Sequence, residues 1–168
     1  RMQTTKTDRQ GRYTLDDCRG RNAVLTIIRK GLAPELRKVR VEQKVETQDF
    51  QLQPPRILRV RVVDQNERPV PEALITIPWW RDNCTLTKVG VPSRTDATGR
   101  WVWDWAPNEP IELYVISARH ACFLTGEITP TKGEHVFRLS PRLRIAGRAV
   151  DVKTKSPVTR YAMKLSST

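Results

Sequence analysis

The feature that most constrains this chain is a long internal repeat. Thr7-Asp8-Arg9-Gln10-Gly11-Arg12-Tyr13 returns 88 residues later as Thr95-Asp96-Ala97-Thr98-Gly99-Arg100-Trp101. At the same spacing Leu25-Thr26-Ile27-Ile28 meets Leu113-Tyr114-Val115-Ile116, and Ala33 meets Ala121. Within two residues of that spacing, Phe50-Gln51-Leu52 meets Phe137-Arg138-Leu139, Pro55-Arg56 meets Pro141-Arg142, and Val63-Asp64 meets Val150-Asp151. Pro69-Val70 meets Pro157-Val158. A solenoid repeat spans only roughly 20–50 residues, so each copy here is a domain rather than one supersecondary unit. The period is close to the ~100 residues of an immunoglobulin-like sandwich. The array divides into residues 1–54, the later strands of a first unit; residues 55–140, a complete unit; and residues 141–168, the opening strands of a third. The start at Arg1-Met2-Gln3 reads as a cut in a longer array. The rival arrangement pairs the two end pieces into one permuted domain.

Inside the complete unit the residues alternate as strands do. Leu58, Val60 and Val62 fall on one face, with Arg59 and Arg61 on the other. Asp64–Pro69 reads as a turn. Ala73, Ile75 and Ile77 share a face, and a Trp79-Trp80 pair ends that run. Thr95–Gly99 is a second turn, whose glycine can take positive φ. Trp101, Trp103 and Trp105 follow on one face, with Val102 and Asp104 opposite. Leu113–Ser117 and His135–Leu139 complete the clear strands. The 12 prolines and 8 glycines lie between the apolar runs, as short strands joined by turns require. The expected fold is all-β, built from tandem immunoglobulin-like antiparallel β-sandwich domains.

Ile57–Asp64, Arg68-Pro69-Val70-Pro71-Glu72-Ala73 and Thr95–Trp101 together resemble the carboxypeptidase regulatory-like domain family. Its usual pattern is G-x-V-x-D, G-x-P-V-x-G-A and T-D-x-x-G-x-[FY]. Gly147-Arg148-Ala149-Val150-Asp151 keeps the first glycine, whereas the complete unit carries Val60 in its place. The resemblance implies tandem transthyretin-like or starch-binding-like β-sandwich domains, and a non-catalytic structural or interaction module without cofactor. It also implies a place in the cell envelope or periplasm, or in a secreted protein, with neighbouring domains of the same parent protein as partners.

The chemistry of other classes is thin. The net charge of +12 suggests nucleic acid. It sits on the flanks, however: residues 1–54 carry 12 basic and 7 acidic side chains, residues 55–140 carry 11 and 10, and residues 141–168 carry 7 and 1. Nucleic acid is therefore not an expected partner, and a polyanion site would need arginines from both end pieces to converge. Cys18, Cys84 and Cys122 have neither metal-ligand spacing nor a disulfide framework and read as free thiols, a Cys84–Cys122 bridge being the minor alternative. His120 and His135 read as loop or sheet-face residues, and Asp96–Gly99 as a plain turn rather than a calcium loop. No apolar run is long enough to span a membrane.

Carbohydrate is the other ligand considered, because indoles on a sheet can stack on sugar rings. Trp101 and Trp103 align with Tyr13 and Leu15 in the repeat and read as core. Trp105 aligns with Asp17, and Trp80 has the opposite parity to Ile75 and Ile77, so both are expected to be the more exposed indoles. Trp80 and Trp105, with the adjacent Arg81, are the candidate ligand residues.

Overall fold

The computed structural model describes residues 3–16, 22–42, 46–81, 91, 93–160 and 162–163. Among these there is no helix, and the strands fall into three sheets. β1 (Asn22–Ile27) and β2 (Glu35–Arg40) form an antiparallel pair. β3 (Arg56–Asp64) lies between β5 (Arg100–Ala106) and β8 (Glu134–Leu139). β6 (Ile111–Ile116) lies between β4 (Leu74–Thr76) and β7 (Phe123–Ile128).

The two three-stranded sheets supply one core. Leu58, Val60 and Val62 of β3 and Trp101, Trp103 and Trp105 of β5 are buried with Ile75 of β4 and Ile111, Leu113 and Val115 of β6. The alternation expected for β3, β4 and β5 is present, as is the burial of Trp101 and Trp103. One pairing departs from the antiparallel expectation: β3 and β8 run parallel, with Val60 opposite His135. Parallel neighbours need a long crossover, and here the chain from β4 to β7 provides it.

Turn chemistry holds these strands in register. The Asp96 carboxylate accepts the amides of Thr98 and Arg100 at 2.8 and 2.9 Å, while the Gly99 amide closes onto the Asp96 carbonyl at 3.0 Å. Gly99 has φ +74, and a Cβ there would collide with the Val62 carbonyl, so glycine is required twice over. Asp64 has the same role in the turn after β3, accepting from Asn66 and Arg68 at 2.7 and 3.0 Å. Glu67 takes the left-handed conformation (φ 59) that a glycine commonly fills. Thr95 is buried and pins the next crossing: its Oγ1 donates to the Val70 carbonyl at 2.8 Å and accepts from the Ala73 amide at 2.9 Å.

Two expectations on tryptophan exposure are corrected. Trp105 is 4% exposed. It keeps the inward parity of Trp103, and its ring packs edge-on against that ring at 5.2 Å. An extra residue in β5, where Arg56 pairs with Ala106 but Leu58 with Trp103, bends the strand and lets Trp105 and Ala106 both face the core. Trp80 is 2% exposed. β4 ends at Thr76, before Pro78, so the parity of Ile75 and Ile77 does not extend to Trp80, and its indole folds over the end of the core.

Residues 3–16 and 46–52 form no strand, although their repeat counterparts include β5 and β8. Residues 141–160 contain one isolated bridge of their own, Val150 to Pro157. They do not pair with residues 11–54, so the permuted arrangement is not formed among the described residues. Cys122 is an exposed free thiol. Cys18 and Cys84 lie outside the described residues.

The carboxylates of Asp64 and Asp96 are held below the ordinary carboxylate range, first by the amides of Arg68 and Arg100 respectively. A depressed folded pKa contributes stability above the unfolded value near ~4, which is lost as pH falls through the folded value. Thermal midpoints should therefore fall as the pH is lowered below about 4, and less steeply in Asp96→Asn than in the parent. The core makes a second prediction. Trp103 is fully buried and its indole N–H has no partner among the described residues. Trp103→Ala should cost about 3–5 kcal/mol by chemical denaturation. Trp103→Phe should cost much less, because it also removes an unmet N–H worth ~1–3 kcal/mol; equal losses would contradict this placement.

Candidate functional site at the Arg81 junction

Of the three residues singled out from the sequence, the structure brings Trp80 and Arg81 together and leaves Trp105 in the core. Arg81 follows Trp80 at the end of the β4 run and has φ 51, a left-handed conformation that swings its side chain back across the indole. The guanidinium carbon lies 5.0 Å from the Trp80 ring centroid, within cation–π range. Trp80 Nε1 donates to Glu109 Oε1 at 2.6 Å. Arg81 Nε donates to the same carboxylate at 3.0 and 3.2 Å.

The same arginine reaches the N-terminal hairpin. Arg81 Nη1 forms an ion pair with Glu35 and donates to the Leu36 carbonyl at 2.8 Å. Leu36, on β2, is buried in the same core cluster as the two three-stranded sheets. One side chain thus ties β2 to the loop between β5 and β6, beside the buried Leu36. Burial lowers the Arg81 pKa, but the hydrogen bonds to Glu35 and Glu109 outweigh it, so the net shift is upward and the charge is secure. Beside the junction lies a groove of about 500 Å³, lined by Pro34, Glu35, Pro55, Arg81, Pro107 and Glu109.

Glu35 and Glu109 were not legible as site residues. They stand 46 and 28 positions from Arg81, and only the tertiary fold makes them neighbours. Trp79 is the other residue that strand parity does not single out. It is 60% exposed, and it, rather than Trp80 or Trp105, is the indole that meets solvent.

Elsewhere the candidate chemistry resolves into local contacts. His120 Nδ1 lies 3.0 Å from Ser117 Oγ, and His135 Nε2 lies 3.1 Å from the Thr129 carbonyl. Among the described residues no group of His, Cys, Asp or Glu side chains could hold a metal ion. Arg94, Arg100 and Arg138 are engaged by Glu72, Glu134 and Glu67. No helix of the described residues is long and apolar enough to cross a membrane.

No family model matches the chain, and no curated protein matches it. Among solved structures, the 3-chlorocatechol 1,2-dioxygenase of Rhodococcus opacus 1CP aligns with 51% of this chain and 60% of its own, at 16% identity and a TM-score of 0.34. At that level the likeness carries no inference about activity.

The junction makes a quantitative prediction. Arg81→Ala should lower stability by about 1–3 kcal/mol, the range for charge-assisted hydrogen bonds, with the partial exposure of the guanidinium favouring the lower half. A double-mutant cycle of Arg81→Ala with Glu35→Gln should show coupling above ~0.5 kcal/mol, whereas additivity would mean that the two pieces are not clasped there.

Proposed function

We propose that this chain is a non-catalytic structural module: consecutive β-sandwich units, similar to carboxypeptidase regulatory-like domains, that connect and space neighbouring domains of an envelope or secreted protein. The observation that carries this reading is the register of two hairpins. Ile27 pairs with Glu35 and Thr26 with Leu36 in β1–β2. Val115 pairs with Phe123 and Tyr114 with Leu124 in β6–β7. Each residue is displaced by 88 from its counterpart.

The turns repeat as well. The Asp8 amide bonds the Arg12 carbonyl at 2.9 Å, as Asp96 does Arg100 at 2.8 Å. The Val158 amide bonds the Ala149 carbonyl at 3.0 Å, as Val70 does Val62 at 3.0 Å. So do the links between units: Ala33 N–H meets the Gln53 carbonyl and Ala121 N–H the Ser140 carbonyl, each at 2.9 Å. A chain whose units and links recur in one geometry suits a spacer, and the Arg81 clasp supports it by stiffening one link. The carbohydrate reading needs exposed indoles at Trp80 and Trp105 and is not carried forward, because both are buried. No convergence of arginines among the described residues favours the polyanion reading.

The test is to repeat residues 54–140 once more in register. The lengthened chain should fold, and its calorimetric unfolding enthalpy should rise by about 60 kcal/mol, the ordinary per-residue value for one more unit of this size. Aggregation, or no gain in enthalpy, would count against the modular reading.

A further inference from the structure

We propose that the cavity between Trp79 and the β6–β7 hairpin binds an arginine side chain of a separate basic partner, its guanidinium stacked on the exposed indole and paired with Glu112 and Glu127. The inference goes beyond the spacer reading and does not depend on it.

The cavity has a volume of about 550 Å³, and Trp79, Arg81, Pro110, Ile111, Glu112 and Glu127 line it. Its apolar wall is an indole left in water. Trp80 turns into the core at 2% exposed, whereas its neighbour Trp79 is 60% exposed. No ring contact or hydrogen bond engages Trp79 among the described residues. A packed aromatic side chain buries roughly 150–250 Å². An indole standing at a cavity forgoes most of that stabilisation until something covers it.

Two carboxylates border the same space. Glu112 and Glu127 stand opposite each other in the β6–β7 ladder. Like charges in that position repel. Neither is held by an ion pair or a hydrogen bond among the described residues.

A bulge creates this juxtaposition. The related hairpin β1–β2 runs in unbroken register from Asn22 opposite Arg40 to Ile27 opposite Glu35. Continued in that way from Tyr114 opposite Leu124, the β6–β7 ladder would set Glu112 against Gly126. An extra residue in β7 sets it against Glu127 instead. Gly126 takes φ 67 at this point. Thr125 Oγ1 accepts the Leu113 amide at 3.0 Å and donates to the Gly126 carbonyl at 2.7 Å, so the displaced ladder bond is replaced. Bulges re-aim side chains. This one brings a carboxylate against its like-charged neighbour beside an indole, which a hairpin that only packs has no use for.

The surrounding charge fixes the sign of the occupant. Arg81 is the one basic side chain among the lining residues, and it is engaged by Glu35 and Glu109. Glu112 and Glu127 therefore leave two negative charges unmatched. A neutral ligand would leave their repulsion in place, and an anion would add to it. A cation answers both carboxylates, and the face of an indole attracts cations as well. The adjacent residues show the same groups already filled. The Arg81 guanidinium carbon lies 5.0 Å from the Trp80 ring centroid, and Arg81 Nε donates to Glu109 at 3.0 Å. Trp79 with Glu112 and Glu127 repeats that set without the arginine. A guanidinium suits it better than an ammonium, because its plane stacks on a ring while its edges bond carboxylates.

The test is a titration of the full chain, followed at the Trp79 indole N–H resonance, which Trp79→Phe identifies by its loss. The probes are blocked glycyl-arginyl-glycine, its lysine counterpart, and its citrulline counterpart, which keeps the shape of arginine without the charge. The arginine peptide should shift the Trp79 signal saturably, the lysine peptide should bind more weakly, and the citrulline peptide should bind about tenfold more weakly or worse. Added salt should weaken the arginine peptide. Trp79→Ala, read by calorimetry, and the double variant Glu112→Gln with Glu127→Gln should each weaken it by about fivefold or more. Glu112→Gln alone should hold or raise the thermal midpoint, because it removes a repulsion. Equal binding of arginine and citrulline peptides would overturn the proposal, as would a thermal midpoint lowered by Glu112→Gln. So would calcium ions that saturate at both glutamates and ignore Trp79→Ala, or a linear glucan oligosaccharide that moves Trp79 at lower concentration than the arginine peptide. Self-association in sedimentation that Trp79→Ala abolishes would also overturn it, by making a second copy the occupant.

Discussion

The parallel ladder between β3 and β8, backed by the antiparallel ladder between β3 and β5, is the arrangement on which the rest of the structure depends. β3 and β8 are the first and last strands of the segment 56–139, so this sheet closes only when the two ends of that segment meet. Everything on β5 depends on it too, because β5 has no other partner strand among the described residues. Three tryptophans stand on β5, and the core they fill exists because β3 fixes their row. Where no described residue supplies such a middle strand, at residues 12–16 and 46–52, related sequence does not organise into strands. Strand character here is conferred by a neighbour, as β-propensity generally is.

The Asp turns act at the next level. Asp8, Asp64, Asp96 and Asp151 each accept two or more backbone amides two to four residues ahead. These contacts are local and survive whether or not the strands around them are paired. That is why the turns at residues 8–12 and 151–156 are formed while the strands beside them are not. The Arg81 clasp belongs to a third level, in which an ion pair and a buried leucine join segments far apart in the chain.

Local patterns were legible in the sequence for the same physical reason. The alternation of Leu58, Val60 and Val62, the inward row of tryptophans and the positive φ at Gly99 each depend on a few adjacent residues. The repeat was equally legible, and its match of Leu25–Ile28 to Leu113–Ile116 falls on β1 and β6, whereas β2 and β7 were not read as strands. Exposure of Trp80 and Trp105 was misjudged because parity was carried past Pro78 and because Asp17 was weighed above the alternation of β5 itself. The partners of Arg81 could not be read at all. Nothing near Arg81 in the chain distinguishes Glu35 and Glu109 from other surface glutamates, and only the fold selects them.

The central claim is that the middle strand, rather than the local sequence, turns these segments into sheet. Hydrogen–deuterium exchange tests it most directly, by comparing peptides that cover counterpart segments. Residues 100–106 and 134–139 should exchange slowly and together, as one cooperative unit. Residues 12–16 and 46–52 should exchange within the dead time of the experiment. Comparable protection in both pairs of segments would contradict the account, because it would show that the related sequences form stable sheet without the strand that separates β5 from β8.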